Sequence, residues 1–504
     1  MTDISVPPVS AAARTIDVED PARGTTIGSI PVLDERAVRE LAARARMAQV
    51  GWHGAGFAAR AAVMDRARQW LIEHSDRMSE TISSETGKTF EDSQLEISIA
   101  AQSLKFWSKN SEGYLADEKV GSFTPFTVGK KTVVRYEPVG LVGVIGPWNY
   151  PLVNAFCDCV PALMAGNSVL LKPSEVTPLT AILTAEMLEA SGMPKDVFSI
   201  ATGDGETGGA VVDAADYVMF TGSTKTGKAV MKRAADTLTQ VSLELGGKDP
   251  MIVCADADLD RAANAAAYYG LLNGGQVCIS VERVYVEAPV HDEFVAKLVK
   301  NVKELRQGVP GAPGTVEVGA VTFPPQIDLV EQHVQDAVAQ GAKVEVGGHR
   351  GPGPGRFFEP TVLTGVTHQM RCMREETFGP TIPVMAVADV EEAIRMANDS
   401  EYGLQGSVFT KDVAKGEAIA RRIEAGAVLV NDALLNYAVM DAPMGGWKTS
   451  GVGSRHGANG IRKYCKTQTI VSQPFVMKKD LNMYPYKPWR SNLLGRVVKA
   501  FYGR

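Results

Sequence analysis

Tyr217-Val218-Met219-Phe220-Thr221-Gly222-Ser223-Thr224-Lys225-Thr226-Gly227-Lys228 joins a short apolar run to a glycine-bearing turn and the start of a helical pattern. The run predicts a strand over 217–220, and the periodicity after the turn predicts a helix from about 226 to 238. Glycines in such a turn let backbone N–H groups and the helix N-terminus face a phosphate. Gly222, Gly227 and Lys228 also fit the P-loop pattern G-x-x-x-x-G-K, but Ala229 follows where Ser or Thr must hold Mg²⁺. The missing metal ligand argues against an NTPase. A dinucleotide needs no Mg²⁺, so a dinucleotide turn stands beside a plain Gly-rich βα turn, and the motif alone leaves both open.

The same alternation runs outward. Upstream, 131–136, 139–145, 168–172 and 197–200 read as strands, Pro138 separates the first two, and 179–191 reads as a helix. Residues 1–33 read as an extended arm; Asp34 then caps a helix to about 50, and another covers about 57–84. After Glu244 the alternation restarts, with strands at 251–254, 283–287, 406–409 and 428–431. Helices are expected at 259–272, 291–305, 330–340 and 390–397. Repeated βαβ units imply an α/β fold with mostly parallel sheets and a second α/β domain.

With 504 residues, 45% of them hydrophobic and 22% charged, the chain reads as an ordinary soluble globular protein of two or more large domains. A formal charge of −6 disfavours nucleic acid as a partner. Residues 1–20 lack the basic start and apolar core of a secretory leader, and no apolar run reaches membrane-span length. Six cysteines are too few for a disulfide scaffold, so a reducing cytoplasm is expected, where Cys278 stays a free thiol.

Two short frames carry the chemistry. They are Leu243-Glu244-Leu245-Gly246-Gly247-Lys248 and Gly275-Gln276-Val277-Cys278, with the Glu and Cys 34 positions apart. A thiol attacks carbonyl carbon and a carboxylate takes a proton from water, which suffices to make and then hydrolyse a thioester. The glycines allow close backbone approach to a reacting group. Gly146-Pro147-Trp148-Asn149-Tyr150-Pro151 offers an amide donor in a proline-stiffened string, suited to a developing oxyanion, though a structural aromatic turn reads equally well. In Lys172-Pro173-Ser174-Glu175, the lysine suits a hydroxyl or phosphate and the carboxylate suits ribose hydroxyls. Glu175 would also repel a 2′-phosphate, which favours NAD over NADP.

Together with Glu375-Glu376-Thr377-Phe378-Gly379-Pro380, these strings resemble the NAD(P)-dependent aldehyde dehydrogenase superfamily in order and spacing, over about residues 15–475. The resemblance implies a Rossmann-like NAD-binding domain (1–119 and 139–246), an α/β catalytic domain (247–450) and a small β oligomerisation arm (120–138 and 451–477). A homodimer or homotetramer without a metal is implied. Carried over residue by residue, Cys278 is the nucleophile, Glu244 the general base, and Asn149 with the Cys278 N–H the oxyanion hole. Trp148, Lys172, Ser174, Glu175, Gly222, Ser223, Glu376 and Phe378 match cofactor contacts, with NAD expected and NADP the alternative. Lys225 and Ser280 depart from the family's usual residues, and Ser280 is expected to reshape the pocket wall. A CoA-acylating relative typically lacks the activating Glu, and a non-catalytic role does not need the whole Cys278, Glu244 and Asn149 set.

The substrate is less legible. Residues 278–286 look like the corresponding segment of bacterial succinate-semialdehyde dehydrogenases, and a dicarboxylic semialdehyde needs a cation at the far end of its pocket. Arg283 and Arg455 are candidates; aliphatic and aromatic aldehydes stay open. Finally, residues 478–504 carry seven Lys or Arg and one Asp, leaving −12 for the rest of the chain. Leu493, Leu494, Val497, Val498 and Phe501 share one helical arc, opposed by Arg496 and Lys499. This basic amphipathic tail suits either a membrane surface or packing against protein.

Overall fold

The computed structural model describes residues 14–503 except 122, 123, 125, 126, 128, 477 and 481, so the first part of the arm expected over 1–33 lies outside the described residues. The rest of that arm is a hairpin of Thr15–Asp20 and Thr25–Pro31.

The strand predicted at 217–220 is Tyr217–Thr221, buried along its whole length, and it lies inside a six-stranded sheet. The order across that sheet is Gly451–Val452, Gln240–Glu244, Tyr217–Thr221, Leu141–Ile145, Ser168–Lys172 and Phe198–Ile200. All neighbours are parallel except the two-residue edge strand, which runs antiparallel to Gln240–Glu244. Continuous Val/Leu/Ile runs suit this position, because helices cover both faces of a parallel sheet.

The second sheet has seven strands, in the order Lys343–Val346, Thr361–Thr364, Thr381–Val387, Val281–Glu287, Asp249–Val253, Gln405–Phe409 and Ala427–Val430. Only the Lys343–Val346 edge is antiparallel. Each of the two large sheets has its own buried apolar core. A third, antiparallel sheet of Cys465–Ser472, Lys131–Pro138 and Glu118–Val120 leaves most of its side chains exposed or half-exposed.

Asp34 caps the helix Glu35–Gly54, accepting the Ala37 N–H at 2.8 Å. The single helix expected over about 57–84 is instead two, Gly56–Glu73 and Ser75–Thr86. The break falls at His74, whose imidazole stacks on Trp70 with Nδ1 2.9 Å from the Trp70 carbonyl oxygen. The same oxygen still accepts the His74 N–H at 2.9 Å, and the chain leaves the helical path at His74 itself, at φ −111° and ψ 24°. The 25-residue helix Phe90–Tyr114 was not legible because its buried face carries Asp92, Ser93, Glu96, Ser103 and Ser111, which blur the apolar period.

Candidate active site

The carboxyl ends of Leu141–Ile145, Ser168–Lys172, Tyr217–Thr221 and Gln240–Glu244 open onto a cleft of about 1080 Å³. Such strand ends are where ligands bind in open α/β sheets. Each of the eleven site residues expected from sequence borders it: Trp148, Asn149, Lys172, Ser174, Glu175, Gly222, Ser223, Glu244, Cys278, Glu376 and Phe378.

Glu244 ends its strand, and the backbone around it is tied on both sides. Its carbonyl accepts the Gly222 N–H at 3.1 Å, and the Leu245 N–H donates to the Ser450 carbonyl at 2.9 Å. The side chain is 3% exposed, and Oε1 has no hydrogen-bond partner among the described residues. Burial pushes this carboxyl up to about 7, against the pull of Arg455 and Lys463. A carboxylate poised near neutral pH with a free oxygen is suited to act as a base.

Cys278 sits on the turn before Val281–Glu287. Asn273, Gly274 and Gly275 all have positive φ, and a Cβ at Gly275 would meet the Gly379 carbonyl oxygen at 2.1 Å, so only glycine fits there. The buried Gln276 side chain pins the turn, donating to the Asn273 carbonyl at 2.8 Å and accepting the Thr322 N–H at 2.8 Å. The two reactive frames meet at Gly247, where a Cβ would stand 2.7 Å from the Cys278 carbonyl oxygen. Burial pushes the Cys278 thiol up to about 12, so the resting group is protonated.

Asn149 is joined to the same turn, its Nδ2 donating to the Gln276 carbonyl at 2.8 Å. Its own carbonyl accepts Lys88 Nζ at 2.8 Å, and Lys88 is fully buried against Glu96 at 2.5 Å. Glu96 Oε2 then accepts the Leu152 and Val153 N–H groups, each at 3.1 Å. Lys88 and Glu96 therefore support the Asn149 string, a role the sequence did not signal because neither falls in a glycine-rich motif.

On the cofactor side, Lys172 Nζ donates to Glu175 Oε2 at 2.8 Å, and Ser223 caps the helix Thr224–Ala234 by accepting the Thr226 N–H at 3.2 Å. Trp148 meets Phe378 edge-on at 5.3 Å between centroids. The Gly247 N–H donates to Glu376 Oε1 at 2.9 Å, and burial, reinforced by Glu282, pushes Glu376 up to about 8. Glu282 receives the Thr377 and Phe378 N–H groups at 2.8 Å each, fixing that loop.

Three expectations need correction. Arg283 does not reach the cleft; it is buried and donates to the Lys248, Met396 and Ala397 carbonyls. Ser280 does not shape the cleft wall, because its hydroxyl turns away to donate to the Tyr269 carbonyl at 3.1 Å. Arg455 is no free substrate cation either. Nε and Nη2 hold Asp158, at 2.9 Å each, and Nη1 lies 3.9 Å from Glu244 Oε2. Lys225, the other departure, is exposed and outside the cleft lining. The sequence also passed over Lys232 and Arg233 at the cleft margin.

These features define an NAD(P)-dependent aldehyde-oxidising enzyme, and the chain belongs to the Aldehyde dehydrogenase family, whose model matches residues 9–470. A Mycolicibacterium smegmatis protein named "putative succinate-semialdehyde dehydrogenase", with NADP(+) as its stated cofactor, is 43% identical over 464 residues, 92% of this chain and 89% of that one. The 4,4'-diapolycopene aldehyde oxidase of Methylomonas is 38% identical, covering 94% of this chain and 88% of the relative. Among solved structures, lactaldehyde dehydrogenase from Escherichia coli superposes with a TM-score of 0.88 at 33% identity, over 92% of this chain and 96% of that one.

Proposed function

We propose that Cys278, Glu244 and Asn149 carry out the oxidation of an aldehyde to its acid. The observation that carries this reading is the tying of all three to one turn, through the Asn149–Gln276 hydrogen bond and the contact of Gly247 with the Cys278 carbonyl. The Cys278 thiol gives up its proton to water in the cleft, and the sulfur adds to the carbonyl carbon. The resulting alkoxide takes hydrogen bonds from Asn149 Nδ2 and the Cys278 N–H. The thiohemiacetal collapses to a thioester as its hydrogen leaves with the electron pair. Glu244 then takes a proton from water, the water oxygen attacks the thioester carbon, the C–S bond breaks, and the acid departs.

The cleft residues suit a dinucleotide. The capped N-terminus of Thr224–Ala234, with Ser223 and Trp148, would hold the pyrophosphate, Lys172 and Glu175 the adenine ribose, and Glu376 and Phe378 the nicotinamide ribose. A nicotinamide held there would supply the hydride acceptor. Glu175 favours NAD, by accepting ribose hydroxyls where a 2′-phosphate would be repelled.

The surroundings of the reactive sulfur are apolar, since Cys278 packs in a cluster with Tyr150, Val153, Val277, Ile279, Leu404 and Met444, bordered by Ile99, Leu434 and Tyr437. Arg283 is turned away from the cleft and Arg455 holds Asp158 through Nε and Nη2, so these surroundings favour an aliphatic or aromatic aldehyde. Succinic semialdehyde is the second reading, favoured by the name of the Mycolicibacterium smegmatis relative. Rates of reduced-cofactor formation across succinic semialdehyde, hexanal and benzaldehyde separate them, and loss of all turnover in Cys278→Ala tests the nucleophile.

We assign residues 1–119 with 139–246 to the NAD-binding domain and 247–450 to the catalytic domain, with the Gly451–Val452 strand completing the first sheet and Glu118–Val120 belonging to the arm sheet. The exposed antiparallel sheet of 118–120, 131–138 and 465–472 suits an oligomerisation arm joining a homodimer or homotetramer. Six free cysteines suit work in the cytoplasm. No helix among the described residues is long and apolar enough to cross a membrane.

A further inference from the structure

We infer that the helix Pro488–Tyr502 is a docking element for an anionic lipid bilayer, holding the enzyme where apolar aldehydes partition. This rests on the assignment of aldehyde oxidation at Cys278 and names a partner for the same chain. The helix buries none of its residues on the body of the protein. It lies beyond residues 9–470, which carry the family's pattern, so the catalytic fold does not call for it.

Its wheel has two sides. Leu493, Leu494, Val497, Val498 and Phe501 share one arc; Lys499 lies opposite it, Arg496 and Trp489 sit together at its margin, and Arg490 falls within it. Such a helix lies in a membrane interface with its apolar face among acyl chains and its cations at the headgroups. The segment before it has the same character, with Phe475 85% exposed, Tyr484 74% and Tyr486 66%. Aromatic rings of this kind favour the headgroup level.

Charge selects the occupant. Residues 478–504 carry seven Lys or Arg against one Asp, and each cation near an anionic surface strengthens binding roughly fivefold. The surroundings of Cys278 agree with this location, since the cluster packed around its sulfur is apolar and Arg455 holds Asp158. Apolar aldehydes concentrate in a bilayer.

The test uses the full-length enzyme with vesicles of phosphatidylcholine alone or mixed with phosphatidylglycerol. The wild type should pellet with the mixed vesicles, much less with phosphatidylcholine, and less as salt rises. Arg496→Gln with Lys499→Gln should weaken binding roughly 25-fold, and Trp489→Ser with Phe501→Ser should abolish it. Both variants should keep wild-type turnover of a short, water-soluble aldehyde without vesicles, and lose rate on a long-chain aldehyde presented in vesicles. Wild-type protein that stays in the supernatant with anionic vesicles overturns the proposal. So does dissociation of the variants into smaller assemblies by light scattering, which makes the helix a subunit contact. Absence of turnover on the soluble aldehyde would instead refute the assignment at Cys278, independently of lipid binding.

Discussion

Arg455 Nη1 stands 3.9 Å from Glu244 Oε2, with both side chains 3% exposed, while Nε and Nη2 of the same guanidinium hold Asp158. The proposed general base therefore faces a fixed cation that is itself tethered by a carboxylate. Burial raises Glu244 to about 7, Arg455 and Lys463 draw it down, and Asp158 draws it up. Because water is activated by the ionised form, thioester hydrolysis is lost as pH falls through that value. Arg455→Met removes a stabilising cation and should move the acidic limb of hydrolysis to higher pH. Asp158→Asn removes a like charge and should move it lower. Pre-steady-state acylation, followed by the burst of reduced cofactor, should survive in both. Shifts in the same direction would mean that the pair acts only as packing.

Asn149→Ala removes a donor from the proposed oxyanion hole. A loss of about 10²–10³-fold in kcat is expected, and it should appear already in the burst phase, since the tetrahedral adduct precedes hydride loss. A normal burst with slow turnover would relocate the role of Asn149.

Glu175→Gln should raise kcat/KM for NADP relative to NAD. One charge beside a partly exposed phosphate is worth ~1–4 kcal/mol, so a change of about fivefold or more is expected. An unchanged ratio would show that selectivity lies elsewhere, with Lys232 and Arg233 the nearest cations on the cleft margin.

Lys88→Met leaves Glu96 buried without its cation. Breaking a buried pair costs about 3–5 kcal/mol, read as a lower denaturation midpoint. The Asn149 string also loses its support at the Asn149 carbonyl, so kcat should fall together with stability.

Much of this site was legible because its chemistry needs glycine. Gly247 and Gly275 are fixed by close backbone approach, and their spacing from Glu244 and Cys278 is a local matter that a sequence records. The parallel strands were equally plain as apolar runs, down to Ser168–Lys172 with the predicted bounds. What was not legible is long-range. Asp158 and Arg455 are 297 positions apart, and nothing in either segment announces the other. Arg283 looked like a free cation until its carbonyl partners, more than a hundred residues downstream, came into view. The helix Phe90–Tyr114 was hidden by its buried polar face, the same face that supplies Glu96 to the active-site string.

The central claim is a covalent intermediate on Cys278 released by Glu244. Intact-protein mass spectrometry of Glu244→Gln, mixed with NAD and an aldehyde the wild type oxidises, tests it most directly. A stoichiometric burst of reduced cofactor is expected, with a mass gain equal to the acyl group, mapped to Cys278 and absent in Cys278→Ala. Wild-type steady-state turnover by Glu244→Gln with no adduct would contradict it.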